Sequence, residues 1–365
     1  MPEIGETVLT EATLIGQIGS PGFDMRPPEL WQGEAITPEG GLRIMTDLWA
    51  RRKFPPSRVE FHLLKNVYLT HEGLVFDAEL NVVRATITQH APAQIAATHA
   101  RLAAAPDDVP VLPGRYVLCK KRGVENYGHW LIEMLPRAFW AREVLPGPWR
   151  YIVPRVEGPM AKVIAVSLAC LGFTPDQLLP LDSTQVRVEE LVVVTGLASH
   201  GTFMSPLVMG CLDALTAEVA PVRQPPLYVT RESSKFRNFS DPAGVRAFAR
   251  RHGFAVIDPA KASFLRQIAR FQGTRLIVGV MGAGMTNIAF APPGSTVVVC
   301  APASMPDTFF WFLSGLRGHR YIELRCPERH NGPARAPWDA DIVVTPAQLA
   351  RIFDPELAES GLVDS

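Results

Sequence analysis

Between Leu227 and Arg325 short apolar runs alternate with single helix-like segments, and this constrains the fold more than any other feature of the chain. LYVTR (227–231), FAVIDP (254–259), TRLIVGV (274–280), TVVVCA (296–301) and RYIELR (320–325) read as strands. Between them, Asp241–Pro242 opens a helix through Arg251 that Gly253 caps, SFLRQIARFQ forms a second that ends at Gly273, MTNIAF a short third, and Thr308–Leu316 a fourth. Glycine at a helix end suits the left-handed C′ position. Strands alternating with single helices imply a parallel, doubly wound sheet.

Within that series, RLIVGVMGAGMTNIAF runs a buried strand into a glycine-rich turn and then a helix. Gly282 and Gly284 lack a Cβ, so the chain turns tightly and a bulky anion can approach the backbone N–H groups of Gly282, Ala283, Gly284, Met285, Thr286 and Asn287. The helix dipole adds only ~0.3–1 kcal/mol at a surface, so an anion held there needs a cationic partner. The same glycines would serve a bare tight turn. A dinucleotide fingerprint is a third reading, opposed by two facts. The turn follows the third strand of its series, and TVVVC ends at Cys300 with no acid for a ribose hydroxyl.

The cationic partner is expected in LYVTRESSKFRN, where Arg231, Lys235 and Arg237 precede Asn238 at the carboxyl end of the first strand. That edge of a doubly wound sheet faces the ligand crevice, and a guanidinium fork suits phosphate oxygens. Asp258, ending FAVIDP, reads either as a ribose contact or as a helix cap.

The first half of the chain is also α/β. Residues 59–90 are β-like, 92–105 suggest a helix, and RYVLCKK, WRYIVP and ELVVVTG read as strands around helical stretches. One helix, HWLIEMLPRAFWAREVL, sets His129 and Glu133 four residues apart on one face, with Arg137 a turn further on. Asn126 is positioned to cap it, Tyr127 and Trp130 sit beside the pair, and Pro136 demands a kink. A histidine held by a carboxylate is a workable general base near neutral pH; a buried polar pair anchoring the helix is the alternative. HxxxE is not HExxH and no third ligand is near in sequence, so no metal is expected. Pro221, Pro225 and Pro226 mark a boundary. The resulting expectation is an irregular arm over 1–55, an α/β domain over 56–220, a nucleotide-binding domain over 221–330 and a tail over 331–365.

Composition excludes several classes. At 365 residues the chain exceeds one typical core. Lys+Arg and Asp+Glu balance at 36 each, so no overall field favours nucleic acid. Five scattered cysteines without CxxC spacing suit a reducing compartment. The acidic opening is a poor signal peptide, and no apolar run of ~18 residues occurs. A cytoplasmic location is expected, with peripheral membrane association left open.

In this order the three segments resemble glycosyltransferase family 61, which includes bacterial capsular-polysaccharide proteins, plant xylan arabinosyl- and xylosyltransferases and animal protein O-linked N-acetylglucosaminyltransferases. The resemblance covers roughly residues 115 to 325 and is carried by Asn126–Pro136, Tyr228–Asn238, Arg266–Gln267 and Ile277–Asn287 with Pro293–Ser295. It implies a GT-B-like fold of two Rossmann-like domains facing across a cleft, and an inverting, metal-independent transfer from a nucleotide sugar, UDP-linked, to a saccharide or glycan-bearing acceptor. It implies a base at His129–Glu133, acceptor contacts from Asn126, Tyr127, Trp130 and Arg137, and no cofactor. The sequence departs from the family at Met281, where a histidine is usual, at Arg266 in place of a glutamate, and at Phe239–Ser240–Asp241. Met281 motivates a second reading, a non-catalytic nucleotide-sugar or glycan-binding protein; an NAD(P) oxidoreductase is the third.

Overall fold

A computed structural model describes residues 4–37, 39–182, 185–330 and 336–358. Residues 331–335 and 359–365 of the expected tail lie outside the described residues. The chain divides into two compact units: Met1–Pro21, Pro56–His200 and Met204–Leu215 form the first, and Gly22–Pro55, Gly201–Phe203 and Thr216–Ser365 the second.

The second unit is built on six parallel strands. In space they run Ala255–Ile257, Leu227–Val229, Leu276–Val280, Thr296–Pro302, Arg320–Cys326 and Glu29–Trp31. The first strand of the series therefore lies between the second and third. The chain leaves Leu227–Val229 towards Ala255–Ile257 and Leu276–Val280 towards Thr296–Pro302, in opposite lateral directions, which opens a crevice at the carboxyl ends of these two strands. Alternate strand residues face two layers, as the period of two requires. Tyr228, Val278, Val298 and Ile322 pack with Val245 and Ala249 of the helix Pro242–Arg251 and with Ile352 and Phe353. Asp241 caps that helix, accepting the Gly244 N–H at 2.9 Å. The segment after the glycine turn, Ala283–Phe290, is a 3-10 helix with Met285–Phe290 all buried. The helices Phe264–Gln272 and Phe309–Leu316 both pack on it.

The first unit carries a nine-stranded mixed sheet. Val111–Leu118, Arg150–Pro154 and Leu178–Leu181 are parallel neighbours, the product of successive strand–helix–strand connections, and Val186–Thr195 pairs parallel with the other edge of Val111–Leu118. On the other side of Val186–Thr195 the thirteen-residue strand Ser57–Leu69 pairs antiparallel. The expected strand VVRATIT is paired only at Val82–Val83. Thr86 turns its hydroxyl onto the Val83 carbonyl at 2.8 Å, closing a 3-10 turn in place of an extended run.

The first 55 residues are more ordered than their Pro- and Gly-rich composition suggests. Leu14–Ser20 pairs with Ser57–Leu69, Gly40–Ala50 is a helix, and Glu29–Trp31 edges the second sheet. Among the described residues no helix is long and apolar enough to cross a membrane.

Candidate functional site

In the first unit the chemistry gathers on the helix that starts at Tyr127. Asn126 Oδ1 accepts the N–H groups of Gly128 and His129 at 2.9 and 3.3 Å, so the expected cap is present. Pro136 has no N–H to give Ile132 and its ring would crowd that carbonyl. The helix widens to a π turn over Trp130–Met134, with the Leu135 N–H reaching back to the Trp130 carbonyl.

His129 Nδ1 meets Glu133 Oε1 at 2.5 Å, and His200 Nδ1 reaches the same oxygen at 3.1 Å. Lys121 donates to the other oxygen and stands 3.5 Å from His129 Nδ1. The two rings are 4.8 Å apart, edge to face. Burial alone would raise the Glu133 carboxyl, but the bonds from both histidines and the Lys121 charge outweigh it and hold the group well below the usual carboxylate range. Burial pushes His129 down, reinforced by Lys121 and opposed by Glu133, so the ring is neutral near pH 7. Nδ1 then carries the proton given to Glu133, and Nε2 keeps a lone pair. Gly123 makes room for that edge: a Cβ there would sit 2.7 Å from His129 Cδ2.

His129, Glu133 and His200 also form the group of three potential metal ligands found among the described residues, with their atoms within 4.8 Å of one another. The fold thus supplies the third group absent from the local sequence. A divalent ion would have to compete with the Lys121 ammonium already on Glu133.

In the second unit the glycine turn and the basic loop meet at the crevice of the parallel sheet. The Arg231 guanidinium lies where a Cβ of Gly282 would be. It donates to Ser234 Oγ at 3.1 Å and to the Phe236 carbonyl at 3.3 Å, while its Nε is buried without a partner. The Arg237 Nε is buried without a partner as well. Arg237 has φ 57, a left-handed conformation unusual for a non-glycine residue. Burial, with the Arg237 charge beside it, pushes Arg231 down to about 10. Burial also lowers Arg237, against Asp339 and Asp307. Among the described residues neither guanidinium has a carboxylate at salt-bridge distance. The Thr286 hydroxyl, fully buried, also lacks a partner.

A family model described as Glycosyltransferase 61 matches residues 127–299. This segment is a glycosyltransferase family 61 domain. No curated protein matches the chain. The matched segment holds the His129 helix, the basic loop and the glycine turn, and a glycosyltransferase domain implies a sugar donor and an acceptor.

Not every expected site residue faces the same chemistry. Asn238 is tied into the loop, giving Nδ2 to the Ser234 carbonyl and its N–H to Asp341. Asn287 bonds Gln267 Oε1 at 2.8 Å and the Gly284 carbonyl at 3.0 Å, so it braces the turn. Met285 is buried and gives its N–H to the Gly282 carbonyl, which leaves Ala283 and Gly284 as the first N–H groups of the 3-10 helix without an intrahelical acceptor. Asp258 caps the turn Pro259–Lys261 and accepts the Ser233 hydroxyl, the capping alternative posed by its position. Lys235 is exposed. Trp130 is fully buried and bonds Ser167 Oγ at 2.9 Å, so its ring does not present itself to an acceptor sugar. Arg137 reaches the Lys120 carbonyl at 3.5 Å, and Tyr127 opens the helix. Met281 is buried, its N–H on the Cys300 carbonyl at 2.9 Å.

Sequence reasoning missed Lys121, Gly123 and His200. Lys121 looked like part of a strand end, and His200 follows ELVVVTGLAS, 67 residues from Glu133. The one available signal was a histidine four residues past Gly196, just beyond the carboxyl end of the strand Val186–Thr195, the edge at which α/β sheets collect their functional groups.

Proposed function

We propose that the chain is an inverting, metal-independent glycosyltransferase of GT-B type. The second unit holds a nucleotide sugar, UDP-linked, and the first unit holds the base and the saccharide acceptor. The observation that carries this reading is the pair of half-buried guanidiniums at the crevice, each with a buried Nε–H that has no partner. Unpaired buried donors are rare in native proteins. A diphosphate offers the oxygens that Arg231, Arg237 and the Ala283 and Gly284 N–H groups lack, and the Arg231 guanidinium, seated where a Gly282 Cβ would be, lies beside the turn. Met281 leaves this set intact, because it contributes backbone and packing rather than a charged side chain.

In the reaction, an imidazole Nε2 of the His129–Glu133–His200 group takes the acceptor hydroxyl proton. The oxygen attacks the anomeric carbon from the face opposite the diphosphate. The carbon–oxygen bond to phosphate breaks, and its electron pair leaves on the nucleoside diphosphate. Arg231, Arg237 and the turn stabilise that developing charge, the role a divalent ion would otherwise serve. Lys121 on Glu133 supports metal independence, since the carboxylate is already compensated.

The test is release of UDP from UDP-sugars in the presence of a mixed saccharide acceptor pool, with and without EDTA. Transfer that survives EDTA with inversion at the anomeric carbon is expected; strict dependence on an added metal would contradict the reading. UDP binding without release or transfer would favour the non-catalytic alternative that Met281 raised.

A further inference from the structure

The first unit contains a cavity of about 620 Å³ whose lining includes Thr70, Glu72, His90, Gln94, Thr98 and Arg101. Its volume lies within the ~300–1,000 Å³ of small-molecule sites. Of the described lining residues Gln185 falls in the matched family segment, and the others precede it.

His90 is the informative member. Its side chain is 3% exposed. Nδ1 accepts the Thr88 N–H at 3.1 Å, which fixes the proton on Nε2. That buried Nε2–H has no hydrogen-bond partner. The nearest acid, Glu72, is 3.9 Å away, beyond hydrogen-bond reach. Burial lowers the His90 pKa more than Glu72 raises it, so the ring is a neutral donor. An unpaired buried donor is costly, and here it belongs to a ring that lines a cavity.

The remaining lining sets acceptors and donors side by side. Glu72 balances Arg122 at 3.7 Å, Arg122 also bonds Gln94 Oε1 at 2.6 Å, and Arg101 donates to Thr98 Oγ1 at 3.1 Å. Among the described residues no Phe, Tyr or Trp lines the cavity, so a nucleobase has no indole, phenol or phenyl face to stack on. A polyol suits it, because each hydroxyl donates and accepts at once.

The cavity also adjoins the proposed reaction centre. Lys121, which bonds Glu133, gives its ammonium to Gln89 Oε1 at 3.4 Å, next to His90 in the chain. Gly73, in the loop that lines the cavity, lies so close to Lys120 that a Cβ would meet its carbonyl at 2.6 Å.

We propose that this cavity is a subsite for a neutral sugar unit of the acceptor, with the His90 Nε2–H and the Glu72 carboxylate as its hydroxyl contacts. The proposal rests on the glycosyltransferase reading above. It assigns a sugar-binding role to the segment 70–101, ahead of the matched domain.

Ala97 lies exposed on the helix Pro92–Ala104 and lines the cavity, so Ala97→Trp fills the space without burdening the core. His90→Phe removes the donor. The experiment is saturation-transfer NMR on the full chain with methyl glycosides of glucose, galactose, mannose, xylose and N-acetylglucosamine, alongside UDP titration and thermal unfolding of each variant. At least one glycoside should bind the wild type and lose more than about five-fold in affinity in Ala97→Trp, with UDP affinity and unfolding temperature unchanged. His90→Phe should weaken the same glycoside. Binding of no glycoside, or binding that survives Ala97→Trp, would overturn the subsite while leaving UDP binding in place. Failure of the underlying reading shows differently, as a wild type that binds no UDP.

Discussion

Glu133 is the residue on which the first unit's chemistry turns, because two imidazoles and one ammonium share its two oxygens. His129→Ala should lower turnover by roughly 10²–10⁴, the usual contribution of a general base, with little change in UDP affinity. Since His200 is the more exposed ring, at 30% against 11% for the His129 side chain, His200→Ala should also lower turnover; full activity in that variant would remove it from the group. The His129 shift gives a pH test. Its downward direction keeps the base neutral below the ordinary value of about 6.5, so the acid limb of kcat/KM should fall below that pH. The Lys121 charge disfavours the imidazolium, so its removal in Lys121→Met eases protonation and should move the limb to higher pH. A limb that stays put would show that Lys121 does not act on the imidazole. The i, i+4 pairing of His129 with Glu133 and the Asn126 cap were legible in the sequence, as both are local helix geometry. Lys121, Gly123 and His200 were not. Their roles depend on strand ends and loops that only the sheet brings to the helix.

At the scale of elements, the glycine turn works because two adjacent parallel strands end beside each other. Arg231→Ala should weaken UDP binding about 10- to 100-fold, the loss of one charge-assisted contact. Gly282 has an extended φ of 163°, so alanine fits its backbone, but its Cβ displaces the Arg231 guanidinium. Gly282→Ala should therefore weaken UDP to a similar degree. The double variant should fall well short of the product of the two effects, since both act through one contact; full additivity in calorimetry would separate them. The 3-10 helix below the turn carries its own acid sensitivity. His319 bonds the Ile288 carbonyl at 3.0 Å, its Nδ1 has no partner, and burial pushes its pKa down to about 4. Between that value and 6.5 the unfolded chain binds the extra proton, so stability rises with pH across this window. About 3 kcal/mol present above pH 6.5 should fade as pH falls towards 4. Thermal unfolding against pH, with His319→Gln flattening the slope, checks this. The strand and helix series from 227 to 325 was readable from its periodicity. The 3-10 form of Ala283–Phe290 was not, because an all-buried segment has no amphipathic period to betray its type.

For the molecule as a whole, the α/β class followed from alternation, whereas the mixed sheet of the first unit did not. Its long strand Ser57–Leu69 pairs with Val186–Thr195 across more than a hundred residues, and periodicity carries no record of such a partner. Glu29–Trp31 is a similar case, three residues that find a strand position far along the chain. What joins the family match to a mechanism is the claim that the crevice between Leu227–Val229 and Leu276–Val280 holds a nucleoside diphosphate through Arg231 and Arg237. Isothermal titration of UDP, in EDTA, into the wild type, Arg231→Ala and Arg237→Ala tests it most directly. Saturable metal-free binding by the wild type and a loss of about ten-fold or more in each variant are expected. Equal affinity in all three, or no binding by the wild type, would contradict it.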